Sequence, residues 1–103
     1  MEEKKIITLD LTDCKYLGEL HARIRVVFDF PEWYGANSDA FWDLLRSECD
    51  ADEVIIYGVN TLPNELKEYM KIIYSVLDKN VAEHEKCHRL YDDIKLFSYR
   101  IES

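Results

Sequence analysis

Glycine and proline are scarce in this chain, with three of the first and two of the second in 103 residues. Gly18, Gly35 and Gly58 stand far apart, so there is no Gly-rich loop to cradle a phosphate and no G-x-S-x-G elbow to carry a nucleophile. Cysteine is nearly as sparse. Cys14, Cys49 and Cys87 leave one thiol over in any pairing, fit no disulfide framework and form no C-x-x-C pair, which favours reduced thiols in the cytoplasm. Basic residues are outnumbered, 13 against 21 acids, for a net charge of -8. That balance excludes a direct grip on RNA or DNA, whose phosphates need a cationic surface, and favours a basic protein partner. No segment approaches the roughly 18 apolar residues of a membrane span. The N-terminus, Met1 to Lys5 followed by the short run Ile6 to Leu11, lacks the apolar core and cleavage site of a signal peptide. A cytoplasmic protein with no membrane contact and no cofactor is expected.

What is present suffices for a core. Hydrophobic residues make up 48% of the chain and aromatic ones 13%, enough for a single domain over residues 1–103. Lys5 to Leu11 has strand composition. Thr12 or Asp13 is placed to cap a helix whose apolar stripe is Tyr16, Leu17, Leu20, Ile24, Val27 and Phe28, ending before Pro31. A second helix spans about Ser38 to Cys49. Glu53 to Tyr57, closed by Gly58, is the best candidate for a central strand. Asn60 or Thr61 starts a third helix, with Pro63 near its first turn and a stripe of Leu66, Tyr69, Met70, Ile73, Val76 and Leu77. From about Asn80 to Asp93 the pattern is open: the helix extends, another forms, or the chain loops out. Ile94 to Ile101 reads as a last strand, with Phe97, Tyr99 and Ile101 alternating against Ser98 and Arg100. The order β-α-α-β-α-β requires crossover connections, which favour an α/β fold with a three-stranded parallel sheet and helices packed against it.

The densest information lies in Pro31 to Leu45. Gly35 is suited to a positive φ, and Asn37 to capping the helix that follows. On that helix Phe41, Leu44, Leu45 and Ala40 recur at core spacing, while Asp39 and Asp43 share the opposite face four residues apart. Like charges at that spacing cost a few tenths of a kcal/mol, roughly, which stability alone gives no reason to keep. Residues 31 to 53 hold seven acids against one base, Arg46. Trp33, Tyr34 and Trp42 flank them, and aromatics beside charge are typical of interface anchors. For Trp42, packing over the sheet edge is an equal alternative.

The run Pro-Glu-Trp-Tyr-Gly-Ala-Asn-Ser-Asp-Ala-Phe-Trp-Asp-Leu-Leu resembles the signature of the barstar family of intracellular ribonuclease inhibitors, approximately Pro-Glu-Tyr-Tyr-Gly-x-Asn-x-Asp-Ala-Leu-Trp-Asp. The order of elements around it is similar too. The resemblance implies a barstar-like fold and a non-enzymatic inhibitor, monomeric before it binds a basic ribonuclease one to one. It implies that Asp43 stands in for an RNA phosphate, that Asp39 meets a further Arg or Lys, and that Gly35 admits the loop backbone to close approach. Trp33, Tyr34, Asn37, Trp42 and Arg46 complete the implied contact surface. The family also places a Glu on the helix before the last strand, a position Asp78 is nearest to filling. Trp33 replaces the first Tyr of that signature, Ala36 and Ser38 differ from the residues barstar itself carries there, and the Arg46–Asp50 segment lacks the Gly-Trp pair that barstar presents after this helix.

Two other readings stand beside this one. The first is a module of the same fold for a different basic partner. The second is a zinc protease, since His84-Glu85-Lys86-Cys87-His88 is a literal H-E-x-x-H, in which two helical His residues bind metal and the Glu activates water. A third ligand is not evident, only fifteen residues follow His88, and Asp92 and Asp93 are the nearest oxygen donors. Asp39 and Asp43 lie on an open face, without the burial that separates the pKa values of an acid/base pair. His21, alone in the first helix, reads as a packed side chain and not as a ligand.

Overall fold

The computed structural model describes residues 4–47, 49, 51–91 and 96–102. In chain order the elements are β1 (Ile6–Asp10), α1 (Leu17–Phe28), α2 (Ser38–Ser47), β2 (Glu53–Tyr57), a short 3-10 turn (Val59–Thr61), α3 (Asn64–Leu90) and β3 (Ser98–Glu102). The strands form one parallel sheet in the order β1-β2-β3. The expected β-α-α-β-α-β fold and central position of Glu53–Tyr57 are what the chain adopts.

Register explains the sheet's two faces. Ile7 aligns with Val54 and Tyr99, and Leu9 with Ile56 and Ile101, so side chains at these positions point to one side. There Ile7, Leu9, Val54 and Ile56 meet Leu20, Ile24 and Phe28 of α1, Phe41, Leu44 and Leu45 of α2, and Met70, Ile73 and Leu77 of α3 in a common core. Ile55 on the other face is buried between Thr8 and Arg100, its partners in register. The alternation expected of the last strand holds only in part, because Ile101 is 43% exposed. β3 is an edge strand, and Tyr99 anchors it instead. Its ring stacks at 6.3 Å on Tyr74, and its hydroxyl donates to Asp78 of α3 at 2.6 Å. Ile94 and Lys95, placed in this strand from sequence, lie outside the described residues.

Several boundaries differ from those the sequence suggests, each for a local reason. Neither Thr12 nor Asp13 caps α1: the Thr12 hydroxyl donates to Asp10 at 2.6 Å, Asp13 takes a left-handed conformation, and Tyr16 is the residue before the first turn, exposed like Leu17. Thr61 closes the 3-10 turn by donating to the Gly58 carbonyl at 2.7 Å, so α3 starts only after Pro63. Gly58 has φ +79, and a Cβ there would lie 2.3 Å from the Thr12 backbone nitrogen, so only glycine lets the two chain segments pass. The open region after Asn80 continues α3 to Leu90.

Because Leu44 is buried in this core and Asp43 beside it is exposed, their truncations should separate. Leu44→Ala is expected to lower unfolding free energy by about 2 to 5 kcal/mol in a denaturant melt, and Asp43→Ala to leave it nearly unchanged.

Candidate binding face

The loop before α2 is seated by aromatic rings. Phe30 stacks on Phe28 at 5.2 Å, Phe41 meets Phe28 edge-on at 5.5 Å, and Tyr34 tilts against Phe30 at 5.4 Å. The chain leaves α1 through Asp29, left-handed at φ 57, and the Phe30 amide donates back to the Arg25 carbonyl at 2.9 Å. A tight turn follows, in which the Tyr34 amide donates to Pro31 at 3.0 Å.

Tyr34, expected among the exposed anchors, is only 8% exposed. Its hydroxyl lies 2.7 Å from His21 Nδ1, and the other ring nitrogen, Nε2, lies 2.7 Å from the Tyr69 hydroxyl. An imidazole with one N–H can donate to one tyrosine and accept from the other. The lone histidine of α1 is thus a packed side chain, 1% exposed, that ties the loop to α3. Its partners lie 13 and 48 residues away, so sequence spacing carries no sign of them.

The glycine of the loop works differently from expectation. The left-handed residue is Ala36, at φ 53, not Gly35. At Gly35 the matter is space: a Cβ there would come within 3.2 Å of the Ala40 Cβ and 3.3 Å of the Asn37 amide, so these neighbours would have to give by a few tenths of an ångström. Asn37 then caps α2 as foreseen, accepting from the Ala40 amide at 2.8 Å while its own amide group donates to the Gly35 carbonyl at 3.0 Å. Both ends of the Asn37 side chain are therefore engaged inside the loop.

With loop and helix fixed, the outer surface follows. Trp33 is 73% exposed at the loop tip, and Asp39 and Asp43 project from α2 opposite the buried Phe41, Leu44 and Leu45. Trp42 is half-buried at the helix flank, packed against the core and covered by Arg46, whose guanidinium carbon is 5.2 Å from the ring centre. Arg46 also reaches Glu83 of α3 at 3.6 Å. Lys71 and Lys79 of α3 line a groove of about 300 Å³ shared with Asp39 and Trp42, so cations bound the acidic face on one side. Asp78, nearest to the family's Glu position, is exposed but accepts the Tyr99 hydroxyl.

The H-E-x-x-H residues do lie on a helix, α3, where the His84 ring tilts against Phe97 at 5.8 Å. Among the described residues, no three His, Cys, Asp or Glu side chains come together as a metal site. None of the three cysteines is in a disulfide, and burial pushes the Cys14 thiol pKa up, away from reactivity. None of the described helices is long and apolar enough to cross a membrane.

These features give an α/β scaffold that exposes Trp33 on the loop before α2 and Asp39 and Asp43 on α2 itself. A family model described as barstar (barnase inhibitor) matches residues 4–93, and the chain belongs to the barstar family, a family of ribonuclease inhibitors. Among curated proteins none matches it.

Burial holds the His21 pKa below its ordinary 6.5, because the charged form is desolvated between the two tyrosines. The unfolded chain then binds the proton first as pH falls through about 6.5, so stability drops from there until the folded-state value is passed. Urea midpoints should decline between pH 8 and pH 5.5 in the wild type and less so in His21→Gln. The lowered carboxylates Asp10 and Glu19 act only below their ordinary 3.8 and 4.5, outside this window.

Proposed function

We propose that this protein inhibits a basic ribonuclease by laying α2 and the loop before it across the enzyme's RNA site. The observation that carries the reading is the outward pairing of Asp39 and Asp43 on one exposed helix face in a member of an inhibitor family. A ribonuclease cleft must be cationic to hold phosphates, so the acidic face meets complementary potential, which speeds encounter and sets register. Asp43 enters the phosphate position and Asp39 takes a neighbouring Arg or Lys. Trp33 supplies the exposed apolar anchor, and Trp42 a second contact stiffened by Arg46. Tyr34, Gly35 and Asn37 serve by shaping the loop from within. Three cysteines outside any disulfide suit an inhibitor working in the reducing cytoplasm.

The test is to titrate barnase, and any basic ribonuclease co-purifying with the chain, while following RNA cleavage. Asp43→Ala should weaken inhibition by an amount corresponding to about 2 to 5 kcal/mol, since it strands cations of the enzyme in a desolvated interface. Glu65→Ala, which removes an exposed acid in the first turn of α3, should cost about 0 to 1 kcal/mol. Added salt should slow association of the wild type. Equal inhibition by Asp43→Ala and wild type would eliminate the phosphate-mimic mechanism, and capture of a basic protein that is no nuclease would assign the face to another partner.

A further inference from the structure

β3 has β2 on one side and, among the described residues, no strand on the other. The Ser98 amide donates to the Asp52 carbonyl at 3.1 Å, so Ser98, and by alternation Arg100 and Glu102, turn their backbone groups toward β2. Tyr99 and Ile101 turn theirs to the open side. Such a row of N–H and C=O groups is a template for a further strand. The other edge of the sheet, β1, is less open. There the Leu11 amide donates inward to Tyr57, so the backbone of Asp10 faces outward, and the Arg23 guanidinium takes the Asp10 and Thr12 carbonyls at 3.0 and 2.9 Å.

The side chains of β3 select what can pair with it. Arg100 and Glu102 lie on the sheet face turned away from the helix core, 3.1 Å apart and both about half exposed. An ion pair of that kind contributes little and is easily exchanged. Between them in sequence Ile101 points to the other face, where it keeps much of its surface in water. The segment carries one cation and one anion, so it is locally neutral in a chain whose acids are concentrated in residues 31–53. Strand β3 is thus complementary to itself. In an antiparallel pair of two β3 strands, the residues that exchange both backbone hydrogen bonds must be those facing outward, Tyr99 and Ile101. With Ile101 opposite Ile101, Arg100 of each copy stands opposite Glu102 of the other at the non-hydrogen-bonded sites, where side chains come closest. The two Ile101 side chains then cover each other on the opposite face. With Tyr99 opposite Ile101, the two Arg100 side chains meet and repel. With Tyr99 opposite Tyr99, Arg100 faces only Ser98.

We infer that β3 is a self-association edge: it pairs antiparallel with β3 of a second copy, Ile101 opposite Ile101, and joins two three-stranded sheets into one of six strands. The two-fold symmetry uses up both β3 edges, so the assembly closes at the dimer. It engages no residue of α2. The contact is small, so the monomer implied by the family resemblance prevails in dilute solution and the dimer forms on concentration. Sedimentation equilibrium of the full chain from about 10 µM to about 1 mM should show the mass rising toward that of a dimer, and exchange of the Ile101 amide proton should slow over the same range. Arg100→Glu places two acids opposite each other and Glu102→Arg two bases, so each variant alone should dimerise about tenfold more weakly. Mixing these two variants should restore association, because every Glu then faces an Arg, and so should the double variant Arg100→Glu/Glu102→Arg. Both positions are exposed in part or whole and on the helix-free face, and the restored mixtures show that a weak single variant is folded. A monomer at every concentration, single variants that associate like wild type, or a mixture that does not recover overturns the inference. A dimer lost in Asp43→Ala and untouched by the charge reversals on β3 would place the contact on α2 and overturn it equally.

Discussion

A single imidazole joins the parts of this molecule that must not move relative to one another. His21 stands on α1, Tyr34 belongs to the loop before α2, and Tyr69 belongs to α3; both ring nitrogens are used, each at 2.7 Å. Two hydrogen bonds from one rigid ring fix distance and direction in a way that apolar contacts alone do not. The same burial holds the tyrosine pKa values up and that of the histidine down, so all three groups stay neutral over the ordinary pH range. The loop thereby gains a rigid inner side and leaves its outer side, with Trp33, for other use.

That division of labour recurs in α2. Its stability comes from the inward Phe41, Leu44 and Leu45 and from the Asn37 cap, so its outer face can carry charges that repel each other. Asp39 is partly compensated, lying in the first turn where the helix dipole favours an anion. Asp43, a turn further on, has no such help.

Periodicity and punctuation made the sheet, the three helices and the acidic face legible, because strands alternate, helices repeat every three to four residues, and Asn37 announces a helix start. The misses have identifiable causes. Beyond Asn80, α3 runs past the core, so its apolar stripe fades into Glu83, Glu85 and Lys86 while the helix continues. Ile101 looked inward by alternation, but an edge strand is covered on fewer sides. Tyr34 has a ring that suits a core and a hydroxyl that suits a surface, and only the distant His21 decides between them. Gly35 in a tight turn suggests a conformational role that Ala36 performs, since a crowded Cβ cannot be read from a glycine's neighbours in sequence.

The all-parallel pairing bears on how the chain reaches its structure. Ile6 pairs with Glu53, and Glu53 with Ser98, so neither strand contact can form as a local hairpin, and each closes a loop of more than forty residues. Topologies dominated by such distant pairings fold slowly for their size. The acidic helix lies within the first of these closures. A nascent chain that has not yet added β2 therefore lacks the strand that completes the core in which Phe41 and Leu45 are buried, and the acidic face matures with the whole fold instead of ahead of it.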